Sequence, residues 1–327
     1  MNRRFLFALL LSLLGVAAAA IAAQQPTFRG TADNVRVFTT VTDKDGRIVT
    51  TLEQKDFTIR DEGSPQPITT FDNRPQPIRL IVLLDVSGSM QGNLPILREG
   101  TSELLRHLRD DDGVRLGTFG NDVEISPTFT RDAREIERAL PRAIDPDAPT
   151  PLWRAIDQAL DAFQESASEG GADERPVILV LSDGKDSGPV GPASFRQPVA
   201  SQSQVIDRAR RQGVMLYGVG MRSRGARPQV PGIGPGGLQA ALMADFPDPG
   251  LARVAEETGG GYIEIRFGED LAAAFADVAD ELHSQYLIGF APPKRDGKVH
   301  KIEVQVATKG LKPRARKSYV APSEKKP

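Results

Sequence analysis

Two unbroken apolar runs stand out along the chain, Leu80-Ile81-Val82-Leu83-Leu84 and Val177-Ile178-Leu179-Val180-Leu181. A strand that is apolar at odd and even positions alike is buried on both faces, as happens inside a parallel sheet covered by helices on either side. Helical spacing lies between and after these runs. Leu94, Leu97, Leu104, Leu105 and Leu108 mark one amphipathic helix, and Leu152, Ile156, Leu160 and Phe163 mark another. Further strands are predicted at Val114–Phe119, Val214–Val219 and Tyr262–Ile265, with helices around Gln204–Arg211, Leu251–Thr258 and Leu271–His283. Strand and helix in alternation over this span predict an α/β fold, a doubly wound, mostly parallel sheet flanked by helices.

On either side of that region the hydrophobic period falls to two. Val35-Arg36-Val37-Phe38-Thr39-Thr40-Val41 and Phe57-Thr58-Ile59 are punctuated by Asp45-Gly46 and Glu62-Gly63, which reads as β-hairpins. Tyr286-Leu287-Ile288-Gly289-Phe290, the turn Arg295-Asp296-Gly297-Lys298 and Ile302-Glu303-Val304-Gln305-Val306 read as another hairpin. Neither flank is long enough to bury a core of its own, so the two are expected to pack together or onto the central region as a small β subdomain. The expected organisation is a signal peptide over 1–23, an N-terminal β segment over 24–76, the α/β domain over 77–285 and a C-terminal β-hairpin segment over 286–327. A Pro- and Gly-rich stretch, Arg222–Gly250, leaves the carboxyl edge of a predicted strand, where it is either a surface insertion or a binding loop.

Composition narrows the chemistry. With 41 basic and 43 acidic residues, net −2, the chain has no electrostatic reason to seek nucleic acid or an anionic membrane surface. There is no cysteine, which removes disulfides, thiolate catalysis and cysteine-bound zinc. His107, His283 and His300 are dispersed without ligand spacing, so no histidine-rich zinc or copper site is expected and each is read as a surface or half-buried histidine. Arg106–Asp112 is read as a solvated helix end and Lys309–Lys317 as a charged, soluble edge. Arg3-Arg4, the apolar run Phe5–Ile21, Ala22-Ala23 and polar Gln24-Gln25 have the layout of a secretory signal, which predicts export to a periplasmic or extracellular location and no membrane span after cleavage. An uncleaved anchor is the alternative.

The candidate chemistry sits at the ends of the two apolar runs. Asp85-Val86-Ser87-Gly88-Ser89 follows the first, placing a carboxylate and two hydroxyls on a loop that Gly88 lets curl inward. Asp183, within Leu181-Ser182-Asp183-Gly184, ends the second, and Thr150 offers a hydroxyl just before Pro151 and a helix, where it also suits an N-cap. If the two strands are neighbours at the switch point of a doubly wound sheet, both carboxylates share one crevice. Oxygen ligands of this kind select a hard cation, Mg2+ first, with Mn2+ or Ca2+ possible.

The DxSxS sequence at Asp85, Ser87 and Ser89, with Thr150 and Asp183, resembles the metal-ion-dependent adhesion site of the von Willebrand factor type A family, over about residues 77 to 285. The resemblance implies a Rossmann-like domain in which Ser87, Ser89 and Thr150 hold Mg2+ directly and Asp85 and Asp183 act mainly through water. It also implies a non-catalytic adhesion or binding role, in which a protein partner offers an Asp or Glu carboxylate to the ion and binding is coupled to movement of the last helix. The flanking β segments resemble an exported bacterial subgroup of such proteins. One departure is Asp145-Pro146-Asp147-Ala148-Pro149 before Thr150, where the family often has glycine. The rival readings are an exported structural protein with a metal-stabilised fold, and a metal-dependent phosphatase-type hydrolase. The second lacks the acid it needs two residues after Asp85, since Ser87 stands there. A serine hydrolase would need a G-x-S-x-G elbow, which is absent at this position.

Overall fold

A computed structural model describes residues 34–167, 174–183, 186–187, 200–221, 249–265 and 271–323. The signal reading of 1–23 and nearly all of the Pro- and Gly-rich stretch, residues 222–248, fall outside the described residues. No helix among those described is long and apolar enough to cross a membrane.

The described strands begin with β1 (Val35–Thr42), β2 (Phe57–Asp61), β3 (Ser64–Gln66) and β4 (Thr70–Asp72). The α/β region then supplies β5 (Ile78–Asp85), β6 (Gly113–Phe119), β7 (Val123–Ile125), β8 (Arg175–Ser182), β9 (Met215–Met221) and β10 (Tyr262–Ile265). Its helices are α1 (Leu94–His107), α2 (Ala133–Ala139), α3 (Leu152–Glu165), α4 (Gln202–Gln212), α5 (Pro249–Thr258) and α6 (Leu271–His283). The chain closes with β11 (Tyr286–Phe290), β12 (Val299–Val306), β13 (Lys312–Ala315) and β14 (Ser318–Val320).

The central sheet runs β10-β9-β8-β5-β6-β7, parallel throughout except for the antiparallel edge strand β7. All eight residues of β5 are buried, as an apolar run between two helical layers requires. Leu80, Val82 and Leu84 pack on one face with α1, α2 and α6, while Ile81 and Leu83 pack on the other with α3, α4 and α5. From β5 the chain steps outward to β6, and from β8 it steps the opposite way to β9 and β10. The order therefore reverses between β5 and β8, and a crevice opens at their carboxyl ends. The sequence missed β7 and α2, both too short to carry a period.

The flanking strands are interleaved. One sheet runs β13-β1-β11-β4 and the other β14-β12-β2-β3, so each combines strands from both ends of the chain. They share a core that includes Val37, Val41, Phe57, Ile59, Tyr286, Ile288, Phe290 and Tyr319, with the Phe57 and Tyr286 rings 4.9 Å apart. The expected hairpin across 286–306 does not form, because β11 pairs with β1 and β4 whereas β12 pairs with β2 and β14. In the N-terminal flank the β2–β3 hairpin does form, and it turns on Glu62 and Gly63 at φ of 48° and 80°.

A buried polar seam joins the β subdomain to the α/β domain. Arg175, fully buried at the start of β8, donates to Gln285 Oε1 and to the Leu282 carbonyl and stacks 4.7 Å from the centre of the Phe38 ring. Gln285 donates to Thr40 Oγ1 at 2.8 Å and to the Tyr217 hydroxyl at 3.0 Å. The Glu281 carboxylate on α6 receives Thr40 at 2.9 Å, together with Tyr217 and Arg314. Burial draws the Arg175 guanidinium down to about 10, still charged at neutral pH. The segment read as a soluble edge thus sends Arg314 into the seam, and Arg316, half-buried two residues on, donates to the Arg36 carbonyl at 2.6 Å.

Nor is the end of the charged stretch 106–112 solvated. Asp112 is buried, and its carboxylate accepts the Ile78 amide at 3.0 Å and the Arg109 amide at 2.8 Å, with His283 Nε2 at 2.8 Å. Burial by itself would raise this carboxyl, but the His283 bond and the two amides outweigh it and hold the pKa below the ordinary carboxylate value. A carboxyl depressed in this way stabilises the fold above its unfolded pKa, and that contribution is lost as acid protonates it. Asp112→Ala is expected to cost about 2–4 kcal/mol at pH 7 by leaving buried donors unmatched. In urea unfolding the midpoint should fall at unchanged slope, and the difference from wild type should shrink toward pH 3.

Candidate metal centre

The first loop of the centre follows from the strand that carries it. Leu84 is in register with Leu181, which leaves Asp85 beside Ser182, and the Ser182 hydroxyl donates to Asp85 Oδ2. Asp85 Oδ1 accepts the Ser87 amide at 2.9 Å, curling the chain back over the strand end. Ser87 Oγ and Ser89 Oγ are 3.0 Å apart. Beyond them a 3-10 turn over Gly88–Asn93 leads into α1.

Two further loops are tied to the first. The Gly88 amide donates to the Ala148 carbonyl at 3.0 Å, and a Cβ on Gly88 would lie 1.9 Å from the Pro146 carbonyl oxygen, so glycine is required there by close approach. Two residues after Ala148, the Thr150 amide donates to Ser187 Oγ at 2.7 Å and the Thr150 carbonyl accepts the Ser187 amide at 3.0 Å. Ser187 belongs to the loop that leaves β8 through Asp183. The loops at 85–89 and 145–150 are thus stitched to each other, and the second of them to Ser187, at the switch point. Helix α3 begins at Leu152, with Pro151 ahead of it, and Thr150 serves its first turn through its carbonyl. Among the described residues the Thr150 hydroxyl makes no hydrogen bond, so the N-cap role expected for it is not realised.

Asp85, Ser87, Thr150 and Asp183 are all buried, whereas Ser89 is exposed and marks where the crevice meets solvent. Asp85 feels its surroundings strongly. Burial, and after it the neighbouring Asp183 charge, push its carboxyl up to about 7, although hydrogen bonds from Ser182 and Ser87 oppose the shift. Two carboxylates set against each other in low dielectric, with hydroxyls beside them, fit a hard divalent cation, because the ion's charge removes the repulsion that otherwise keeps a proton on Asp85. Asp145 and Asp147, both exposed on the covering loop, add to the negative rim.

Ser182 and Ser187 were given no role from the sequence, yet Ser182 braces Asp85 and Ser187 braces Thr150. Ser182 lies inside the motif that drew attention to Asp183, and a hydroxyl at the last position of a buried strand was the available signal.

The sequence matches the family model of the von Willebrand factor type A domain over residues 80–185. No curated protein matches it significantly. Among solved structures, a von Willebrand factor type A protein from Catenulispora acidiphila aligns at 13% identity and TM-score 0.48, over 90% of this chain and 75% of that one. An aerotolerance-related membrane protein from Bacteroides fragilis aligns at 18% identity and TM-score 0.42, over 63% of this chain and 98% of that one. Proximal thread matrix protein 1 from mussel byssus, in a form described as having a zinc-occupied MIDAS motif, aligns at 14% identity and TM-score 0.45, over 69% and 50%.

A carboxyl whose folded pKa is raised from 3.8 to about 7 favours the fold below pH 4, and that advantage is lost as pH rises through 7. The lost advantage is on the order of 4 kcal/mol at most. With chelator present, Asp85→Asn is therefore expected to raise the melting temperature relative to wild type at pH 8 by several degrees, with little change at pH 4. Calorimetry at the two pH values checks it, and an equal shift at both would contradict the electrostatic account.

Proposed function

We propose that this chain, whose residues 80–185 match the family model of the von Willebrand factor type A domain, a module that typically binds rather than catalyses, is an exported binding or adhesion protein. In this reading it takes an acidic group of a protein partner through a divalent metal held by Asp85, Ser87, Ser89, Thr150 and Asp183. The observation that supports the reading most directly is the pair of buried carboxylates at the carboxyl ends of adjacent parallel strands, Asp85 driven to about 7 by burial and by Asp183. A bound Mg2+ supplies a coordination position at which a partner's carboxylate replaces water.

The protein's own residues set up that exchange. Ser87 and Ser89 present hydroxyls, one buried and one exposed, on a loop clamped to Ala148 and to the Asp85 carboxylate. Thr150 presents another from a loop clamped to Ser187. The hydroxyls are neutral, so an ion bound among them keeps charge to offer a partner, while the carboxylates retain it from behind. The acidic rim at Asp145 and Asp147 favours uptake of the cation over direct docking of an acidic partner to the bare loops. The N-terminal Arg3-Arg4 and apolar run support export.

Titration calorimetry of Mg2+ and Mn2+ into the protein tests the site. Saturable uptake is expected in wild type and should fall at least about a hundredfold in Asp85→Ala and Ser87→Ala, each a lost contact to the ion or its water shell. A glutamate-rich peptide should bind only in the presence of metal, and only to the wild type. Metal uptake without metal-dependent peptide binding would favour the structural reading instead. No uptake even with the peptide present would overturn the assignment.

A further inference from the structure

A second cluster lies in the β subdomain, at the junction of β2 and β12. Asp61 ends β2, Glu62 opens the turn that follows, and His300 lies on β12. Each offers one ligand atom, and the three atoms lie within 4.8 Å of one another. His300 is buried, contrary to the expectation of a surface or half-buried histidine, and its contact with Asp61 was not legible along the chain because the two are 239 positions apart.

Both ring nitrogens of His300 face carboxylates. Nδ1 stands 3.0 and 3.2 Å from the two Asp61 oxygens, and Nε2 stands 3.2 Å from Asp296 Oδ1. With its Nε2 proton given to Asp296, a neutral imidazole directs the lone pair of Nδ1 at a buried carboxylate. Lone pair against lone pair is repulsive, so a cation must lie between them, either a proton or a metal ion. A carboxylate behind the distal nitrogen is also the usual support of a metal-bound histidine.

Charge and satisfaction favour the metal. Asp61 is only 2% exposed, and among the described residues no lysine or arginine pairs with Asp61 or Glu62. Even with His300 protonated, its single charge faces two carboxylates, Asp61 and Asp296. Tyr319 closes the cluster from β14, in register with His300 and with its ring centre 5.4 Å away. It is 2% exposed, and its hydroxyl, set beside the Asp61 carboxylate, makes no well-aligned hydrogen bond. Burial first, and then the adjacent Asp61 carboxylate, raise its pKa.

We propose that Asp61, Glu62 and His300 bind a Zn2+ ion that staples the N-terminal strand β2 to the C-terminal strand β12. One nitrogen and two carboxylate ligands suit zinc rather than the all-oxygen preference of Mg2+. Ligands at about 2.1 Å from a tetrahedral ion stand about 3.4 Å apart, close to the spacing of His300 and Asp61, and the Glu62 carboxylate is held beside them by the Lys301 amide, which donates to its Oε1 at 2.6 Å. A water in the fourth position would donate to the Tyr319 hydroxyl oxygen. In a chain without cysteine, such an ion does what a disulfide does elsewhere, closing a very long loop between the two ends of the fold.

The test uses full-length protein in excess Mg2+, which occupies the oxygen site. Added Co2+ is expected to give the visible absorption of a tetrahedral nitrogen–oxygen site, displaced by Zn2+, and Zn2+ is expected to raise the melting temperature. Glu62→Gln, on an exposed turn, should abolish the band and the thermal shift, whereas Ser87→Ala should retain both. Asp296→Asn should weaken Zn2+ about tenfold or more. His300→Gln should behave as Glu62→Gln, and if it does not fold, Glu62→Gln decides alone. No band in wild type, or a band indifferent to Glu62→Gln, overturns the proposal and leaves a proton between His300 and Asp61.

Discussion

The architecture depends on one buried ionic contact network, the meeting of Arg175, Glu281 and Gln285 beneath Phe38 and Thr40. A guanidinium and a carboxylate out of water are costly unless each is matched, and here Arg175 is answered by a side-chain amide and a helix-end carbonyl, while Glu281 is answered by Thr40, Tyr217 and Arg314. The contributors come from β1, β8, β9, α6, β13 and the residue before β11. Removing one leaves others buried and unmet, so the seam specifies a single way for the β subdomain to seat on the α/β domain. Arg175 Nε and Arg314 Nε have no partner even so, a remaining cost that the surrounding packing offsets.

That seating matters for the metal centre because the same helix reaches both. Helix α6 packs Phe275, Val278 and Leu282 into the layer that covers β5 and β8. Its carboxyl end carries Glu281 and, through His283, grips Asp112 at the base of β5. The strands whose tips hold Asp85 and Asp183 are thus braced from below by a helix whose own position is fixed by the seam. Rigid strand ends are what two mutually repelling carboxylates need if they are to stay side by side.

Much of this was legible beforehand, for physical reasons that differ by element. Continuous apolarity in β5 and β8 reports burial on two faces, and that requires helices on both sides, so the doubly wound class followed from the alternation of such runs with helical spacing. That Asp85, Ser87 and Ser89 share one loop at a strand end was legible because a loop motif is local. What could not be read was any relation carried by a single long-range contact: Ser187 under Thr150, Asp61 under His300, Asp112 under His283. Hydropathy classes Asp112 and Arg314 as solvent-facing, and only the partners waiting across the fold reverse that. The C-terminal hairpin was misread for the same reason. Alternation shows that β11 and β12 are strands, but strand pairing is decided by which edges are vacant, and β1 and β2 offered theirs.

The interleaving of the two flanks has a consequence for the order in which the molecule comes into being. As the chain emerges, β1 and β2 appear first, yet β1 lies between β11 and β13 and β2 lies against β12. β1 must wait as an unpaired strand, and β2 with only its hairpin partner β3, until the chain beyond the α/β domain is made. The beginning of the chain is therefore among the last parts to acquire structure, and the shared core cannot close until the final strands are delivered.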